Sequence, residues 1–245
     1  MVIPPNHGRY RSMISSRSIR SLRRILPGLL IVAATAFALP AFAGPAKAPP
    51  DHQAMKPRLA ACATCHGKQG QGGAGTTAGV YPRLAGQPDG YLYKQLLRFK
   101  SARRTGIPPV KIMHHLLINL PAPYLQLIAA WYAAESPPFP PPAPRDQTRW
   151  EEGRKLVQQG VPSEGIEACT SCHGADLQGQ PPAVPALAGQ YARYLTIQFE
   201  HWAQGARHDS LHEHIVETLT MPQIQAMSHY LASLRPAANS TEKAE

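Results

Sequence analysis

The chain has 245 residues, enough for one large domain or two small ones, and its formal net charge is +10. Six of the 25 Lys and Arg fall within the first 43 residues, which contain no acidic residue, so the remaining chain carries a formal charge of only +4. A charge this small and scattered, with no basic block among aromatic residues, argues against a nucleic-acid-binding protein.

The first 43 residues are expected to be a signal peptide rather than part of the fold. Arginines between positions 9 and 24 precede the apolar stretch ILPGLLIVAATAFALP, and AFA stands directly before Gly44. This order is typical of a secretory signal cleaved after Ala43, which indicates Sec export. An uncleaved membrane anchor is the alternative, although a bilayer span needs about 20 apolar residues and this stretch is shorter.

Two copies of the pattern C-x-x-C-H use all four cysteines of the chain. They read CATCH, from Cys62 to His66, and CTSCH, from Cys169 to His173. The pattern is the attachment signature of c-type heme, in which each thiol bonds to a vinyl group and the histidine binds the iron. A thioredoxin-type motif or half of a zinc site also contains C-x-x-C, but neither needs the trailing histidine. The residues expected to hold two hemes c are Cys62, Cys65, His66, Cys169, Cys172 and His173.

The flanks of the two motifs repeat in the same order. YPRLAGQ (81–87) matches VPALAGQ (184–190), YLYKQL matches YLTIQF, and LIAAWYA matches AMSHYLA. The chain is therefore interpreted as a tandem duplication of a domain of about 80 residues. The domains are placed at 57–135 and 149–236, joined by a stiff proline-rich linker at 136–148 and followed by a disordered tail at 237–245.

Helical spacing dominates both halves and strand-like alternation is scarce, so an all-α fold is predicted. The expected helices are YLYKQLLRFK, YLTIQFEHWA, Ala122 to Ala134 and Met221 to Leu234, the last with Thr220 as N-cap. Thr148 and Glu151 have capping-box spacing at the start of another helix, whereas the first half opens with a poor, short helix. Domains this small bury little core by themselves, so folding is expected to depend on the heme.

Both heme motifs, the Pro-x-Leu-Ala-Gly-Gln repeat and the paired terminal helices resemble the diheme class I cytochromes c of the cytochrome c4 type, over about 57–236. The resemblance implies two tandem class I cytochrome c domains, each wrapped around one covalent heme and packed face to face. It further implies that the carbonyls of Pro82 and Pro185 accept hydrogen bonds from the two proximal histidines, and that Arg103 and Arg207 lie near heme propionates.

The resemblance also implies a function. Proteins of this type carry single electrons in the periplasmic respiratory chain, often in peripheral association with the membrane, and perform no catalysis of their own. The implied donor is a quinol–cytochrome c reductase or a dehydrogenase, and the implied acceptor is a terminal oxidase.

A class I domain of this type usually supplies a methionine as the second iron ligand, from the loop before its last helix. In the first half, Met113 lies seven residues before Leu120, which precedes the helix. Met113 is therefore expected to bind the iron of heme 1 together with His66. His114 and His115 are the nearest substitutes.

The second half departs from this pattern. Seven residues before the equivalent Leu219 stands His212, and MHHLLINL aligns with HEHIVETL without a gap. His212 is expected to bind the iron of heme 2 opposite His173, with His208, His214 or an open iron as alternatives. Methionine ligation raises a heme potential relative to histidine, so electrons are expected to run from heme 2 to heme 1.

An enzymatic role is the alternative function, because diheme enzymes often carry an unusual ligand at one iron. The chain could be a periplasmic diheme oxidoreductase, such as a thiosulfate dehydrogenase, or the cytochrome subunit of one. All four cysteines are used by the heme motifs, however, and no further catalytic constellation is visible in the sequence. A heme-based gas sensor is a weaker reading, since it needs an open iron and a signalling module.

Overall fold

The computed structural model describes residues 52–73, 79–106, 108–139 and 145–236. The expected signal peptide, the middle of the linker and the expected disordered tail lie outside these ranges. The helices are α1 (His52–Met55), a 3-10 helix (Lys56–Leu59), α2 (Ala60–His66), α3 (Asp89–Lys100), α4 (Pro108–Leu117), α5 (Ala122–Ala134), α6 (Gln147–Gln159), a 3-10 turn (Pro162–Glu164), α7 (Thr170–His173), α8 (Ala192–Ala203), α9 (Ser210–Thr218) and α10 (Met221–Ser233).

The predicted all-α class is confirmed. The described ranges hold no strand, only isolated bridges that pair Val161 with Ile166 and Gln180 with Val184. None of the helices just given combines the length and the apolar character that crossing a bilayer requires.

The core of the first half is built on α5, whose buried residues recur at helical spacing. Leu125, Ile128 and Trp131 are buried and share one apolar cluster with Phe99 of α3. The indole N–H of Trp131 donates to the backbone carbonyl of His52 at 3.0 Å, which ties the opening of this half to α5. The half opens with short helices, as its sequence indicates.

In the second half, α6 crosses α10 in close contact. A Cβ added at Gly153 would stand 2.1 Å from the carbonyl oxygen of Ala226, so glycine is needed for this approach. Leu156 and Val157 of α6 are buried in the second apolar cluster, and Trp150 packs against its edge.

The start of α6 differs from the prediction. The carboxylate of Asp146 accepts a hydrogen bond from the backbone N–H of Arg149 at 3.1 Å, so Asp146 is the N-cap and Thr148 already lies inside the helix. Asp and Thr are both good N-cap residues. Residue type alone therefore does not decide whether the helix begins after Asp146 or after Thr148. The predicted terminal helices agree better: α5 has the expected bounds, and the N–H of Thr220 donates to Gln223 in a capping box at the start of α10.

Two segments that were expected to be loops are helical. Met113 lies on α4 and His212 lies on α9. Asp209 caps α9, since its carboxylate accepts from the backbone N–H of His212 at 3.4 Å. Both candidate iron ligands are therefore held on regular helices, whose backbone hydrogen bonds restrict their movement more than a loop would.

The described start of the linker packs against both halves. The guanidinium group of Arg83 donates to the carbonyls of Pro137 at 2.6 Å and Pro138 at 3.3 Å. It also lies 4.2 Å from the ring centre of Phe139, and that ring fills the space beside Gly189 of the second half. Arg83 thus holds the first residues of the linker against the protein by hydrogen bonds and a cation–π contact.

Candidate functional site

One cavity of ≈ 470 Å³ lies between the two halves and reaches into both. All eight residues predicted to hold heme line it. They are Cys62, Cys65, His66, Met113, Cys169, Cys172, His173 and His212.

A hydrogen bond fixes the tautomer of His66, the first of the two motif histidines, in the form that can bind iron. His66 is the last residue of α2 and is buried. Its Nδ1 lies 3.1 Å from the carbonyl oxygen of Pro82, which can only accept, so Nδ1–H is the donor and Nε2 keeps its lone pair. Burial lowers the pKa of His66, which keeps the imidazole neutral. A neutral imidazole with a free Nε2 is the form that binds iron.

His173 repeats this arrangement in the second half. It ends α7 and is buried, and its Nδ1–H donates to the carbonyl of Pro185 at 2.8 Å. Burial is the main cause of the lowered pKa of His173. The geometry that the resemblance implies for Pro82 and Pro185 is therefore present in both halves.

The four cysteines are free thiols beside these histidines. Burial raises the pKa of the Cys169 thiol to about 11 and also raises the pKa of Cys62. Within the ranges that the structure describes, no three or more His, Cys, Asp or Glu side chains converge as metal ligands.

The distal side of the second half is occupied by His212. Its ring centre lies 6.3 Å from that of His173, with the two ring planes at 77°. The ring of Trp202 stacks on His212 at 4.2 Å and 10°. The His212 Nδ1–H donates to the carboxylate of Asp209 at 2.9 Å, which leaves Nε2 as the free nitrogen.

The separation of the two rings fits one iron between them. A metal–imidazole bond is about 2 Å long and a ring nitrogen lies about 1 Å from its ring centre, so two opposed imidazoles stand about 6 Å apart. The other two histidines of the cluster are engaged elsewhere. His208 is exposed and donates to Glu213 at 3.2 Å, and His214 donates to the carbonyl of Glu164 at 2.8 Å.

In the first half, Met113 is half-buried and packs against the apolar cluster. Its two histidine neighbours do not line the cavity. His114 donates from Nδ1 to the carbonyl of Phe99 at 2.9 Å, and His115 is exposed. Of the three candidate ligands in this segment, Met113 is therefore the one that lines the cavity together with His66.

Two arginines lie buried where the halves meet. Arg104 is 5 % exposed and Arg207 is 8 % exposed, and both donate to the side-chain oxygen of Gln198. Burial and the neighbouring Arg104 charge lower the pKa of Arg207. No carboxylate among the described residues forms an ion pair with either arginine.

Arg104, rather than the predicted Arg103, is the counterpart of Arg207. The backbone N–H of Arg104 donates to the carbonyl of Arg98, and that of Arg207 donates to His201, the residue equivalent to Arg98 in the repeat. Arg103 is exposed. Arg103 corresponds instead to Ala206, because their backbone N–H groups donate to the carbonyls of Arg98 and His201, respectively.

Unpaired donors at the junction fit acidic groups of a cofactor. Arg104 and Arg207 each have an Nε without a partner, both ring nitrogens of the buried His201 are unpaired, and so is the indole N–H of Trp202. All four residues line the cavity. Buried donors are normally satisfied, and the carboxylates of heme propionates supply the acceptors and the negative charge that two buried guanidinium groups need.

Replacing Arg104 or Arg207 with leucine is expected to lower the reduction potentials of the bound hemes. A nearby positive charge favours the reduced iron, so its loss favours the oxidised form. The potentials are measured by spectroelectrochemical titration of the heme-loaded protein. Arg103→Leu is the matched control because this neighbour is exposed, and an equal shift in that variant would contradict the assignment.

Comparisons with known proteins agree with this geometry. The family model described as cytochrome c matches residues 57–126 and 150–235. A cytochrome c4 of Azotobacter vinelandii is 31% identical over 201 residues, which cover 78% of this chain and 92% of the relative. A thiosulfate dehydrogenase electron acceptor of Thiomonas intermedia (strain K12) is 33% identical over 201 residues, which cover 80% of this chain and 89% of that protein.

A solved structure is similar as well. The crystal structure of reduced recombinant cytochrome c4 from Pseudomonas stutzeri superimposes with a TM-score of 0.65 at 30% identity, and the match covers 76% of this chain and 99% of the other. Two heme motifs, two matched domains and diheme relatives together indicate two hemes c. The chain belongs to the cytochrome c family and, within it, to the diheme cytochromes of the cytochrome c4 type.

Proposed function

We propose that this electron carrier moves single electrons through the periplasm from a quinol–cytochrome c reductase or a dehydrogenase towards a terminal oxidase. The observation that carries the proposal is the 6.3 Å separation of the ring centres of His173 and His212, which leaves room for one iron between the two rings. Two protein ligands on one iron leave no open position for a substrate. A carrier needs only that closed arrangement, whereas an enzyme acting at the iron needs a free site.

We assign the ligands as follows. Cys62 and Cys65 hold heme 1, with His66 and Met113 on its iron. The equivalent set for heme 2 is Cys169, Cys172, His173 and His212. Bound heme iron supplies reversible one-electron chemistry, and the protein sets its potential through the axial ligands and their hydrogen bonds.

The two ligand sets give the electron a direction. The thioether of Met113 favours reduced iron, whereas the imidazole of His212 is the stronger donor and favours oxidised iron. The carboxylate of Asp209 strengthens this effect, because accepting the Nδ1–H bond of His212 at 2.9 Å makes the ring a stronger electron donor to iron. Trp202 holds the ring plane by stacking. Electrons therefore enter at the second half and leave from the first.

A second candidate is electron acceptor of a thiosulfate-oxidising enzyme. Its support is the 33% identity to a protein named for that role. This role differs from the first only in the donor, since the ligands and the direction of transfer stay the same. Peripheral membrane association fits either role.

Mixing experiments with the mature heme-loaded protein separate these roles. Carbon monoxide added to reduced protein is expected not to bind, and thiosulfate alone is expected not to reduce the hemes. Rapid reduction by quinol–cytochrome c reductase supports the respiratory role, and reduction that requires both thiosulfate and its dehydrogenase supports the second. Turnover of thiosulfate by this protein alone would contradict the carrier function.

A further inference from the structure

Two glutamines at equivalent positions of the repeat cross between the halves. Gln190 of the second half accepts at Oε1 from the backbone N–H of Arg83 at 2.9 Å and donates from Nε2 to the carbonyl of Arg83, also at 2.9 Å. Gln87 of the first half makes the same two bonds to Ala186, each at 2.9 Å. Both glutamines are buried, at 6 % exposure for Gln87 and 5 % for Gln190.

Each glutamine binds the peptide group that orients the proximal histidine of the opposite half. The N–H of Arg83 belongs to the same peptide unit as the carbonyl of Pro82, and that carbonyl accepts from His66 at 3.1 Å. In the other half, the N–H of Ala186 belongs to the peptide unit whose carbonyl, from Pro185, accepts from His173 at 2.8 Å. Two hydrogen-bonded chains thus cross the boundary in opposite directions.

Hydrogen bonds in such a chain strengthen one another. An acceptor on the N–H side of a peptide polarises the group and makes its carbonyl a better acceptor. A stronger bond from the imidazole Nδ1–H to that carbonyl makes the ring more basic and a better iron donor. The oxygen of Gln190 therefore acts on His66, and the oxygen of Gln87 acts on His173, although each belongs to the other half.

We propose that Gln87 and Gln190 are positioning residues that set the reduction potential of the heme in the opposite half, so that the packing of the halves tunes both irons. Motion that separates the halves breaks both chains at once and raises both potentials. A partner protein that moves the two halves apart, or packs them more tightly, would thereby change the driving force for electron transfer. The inference rests on the proximal roles proposed above for His66 and His173.

Leucine variants of the two glutamines give a crossed result. In the heme-loaded protein, Gln190→Leu is expected to raise the potential of heme 1 more than that of heme 2, and Gln87→Leu is expected to do the reverse. Potentials are resolved by spectroelectrochemical titration. Gln126→Leu and Gln159→Leu replace exposed glutamines, one in each half, and are expected to leave both potentials unchanged.

A second variant separates this effect from simple loosening of the boundary. Gln190→Glu, measured at alkaline pH, keeps an acceptor on the Arg83 N–H and adds negative charge, so the potential of heme 1 is expected to fall. In the reduced protein, the NMR signal of the His66 Nδ1–H is expected to move in opposite directions in the leucine and glutamate variants, while that of His173 stays in place. These signals are read without any transfer of electrons to a partner.

Different outcomes test the role of the two glutamines and the proximal roles of His66 and His173. The proposal is overturned if a leucine variant shifts the two heme potentials equally, or shifts the potential more in the half that carries the substitution. It is also overturned if the leucine and glutamate variants of Gln190 shift the potential of heme 1 in the same direction. Either result leaves two covalent hemes in place. A wild-type protein with fewer than two hemes would instead overturn the proximal assignments themselves.

Discussion

Replacing both Cys62 and Cys65 with alanine is expected to give an exported protein with one covalent heme and much less helix. The thioether bonds to these residues are the covalent attachment of heme 1, so the first half cannot retain it. The apolar cluster of that half, with Leu92, Phe99 and Met113 on one side of the cavity, then loses the group it packs against. Heme is counted by the pyridine hemochrome assay and helix by circular dichroism.

The matched variant changes Cys169 and Cys172 to alanine and should leave heme 1 alone. Its loss of helix is expected to be smaller, because α6 and α10 remain packed directly through Gly153, whereas the first half opens with only short helices. Retention of two hemes in either variant would contradict the attachment sites. Full helix content in both would contradict the dependence of folding on the cofactor.

Replacing His212 with alanine is expected to convert heme 2 to a high-spin form that binds carbon monoxide. The imidazole whose ring centre lies 6.3 Å from that of His173 would be gone, and His208 and His214 are held by Glu213 and by the Glu164 carbonyl. Heme 1 should keep the long-wavelength charge-transfer band of methionine–iron ligation. Met113→Ala should abolish that band and leave heme 2 low-spin, as read by optical and electron paramagnetic resonance spectra.

His212→Met is the complementary change, because it gives the second half the ligand expected in the first. It should raise the potential of heme 2, and a shift on the order of 100 mV would correspond to about 2.3 kcal/mol for one electron. A low-spin heme 2 with an unmoved potential in His212→Ala would mean that another residue binds the iron. His208 and His214 would then be the next to replace.

Local patterns carried most of what the sequence could predict. The heme motifs are contiguous, and the terminal helix at Met221 follows Thr220, a residue that signals a helix start, so their recognition needed no tertiary information. The repeat register led to His212, because an aligned position identifies a residue even when its type changes. The structure adds the 6.3 Å separation from His173 that gives this position its chemical meaning.

Features that depend on the meeting of the halves were missed. Arg104 became visible only through its burial and its contact with Gln198, more than ninety residues away in sequence. The glutamine of the Leu-Ala-Gly-Gln repeat was noted as a match, but its partners Arg83 and Ala186 lie in the opposite half. Family spacing predicts a loop where α9 lies, whereas the cap at Asp209 indicates a helix.

One heme is predicted to have histidine and methionine ligands, whereas the other is predicted to have two histidines. A spectroelectrochemical titration of the mature heme-loaded protein tests this prediction directly, because the oxidised spectrum reports ligand type while the potential is scanned. Two one-electron steps are predicted, with the methionine band lost in the step at higher potential and no such band in the step at lower potential. Two methionine-ligated hemes, a single heme, or the methionine band in the lower step would contradict the prediction.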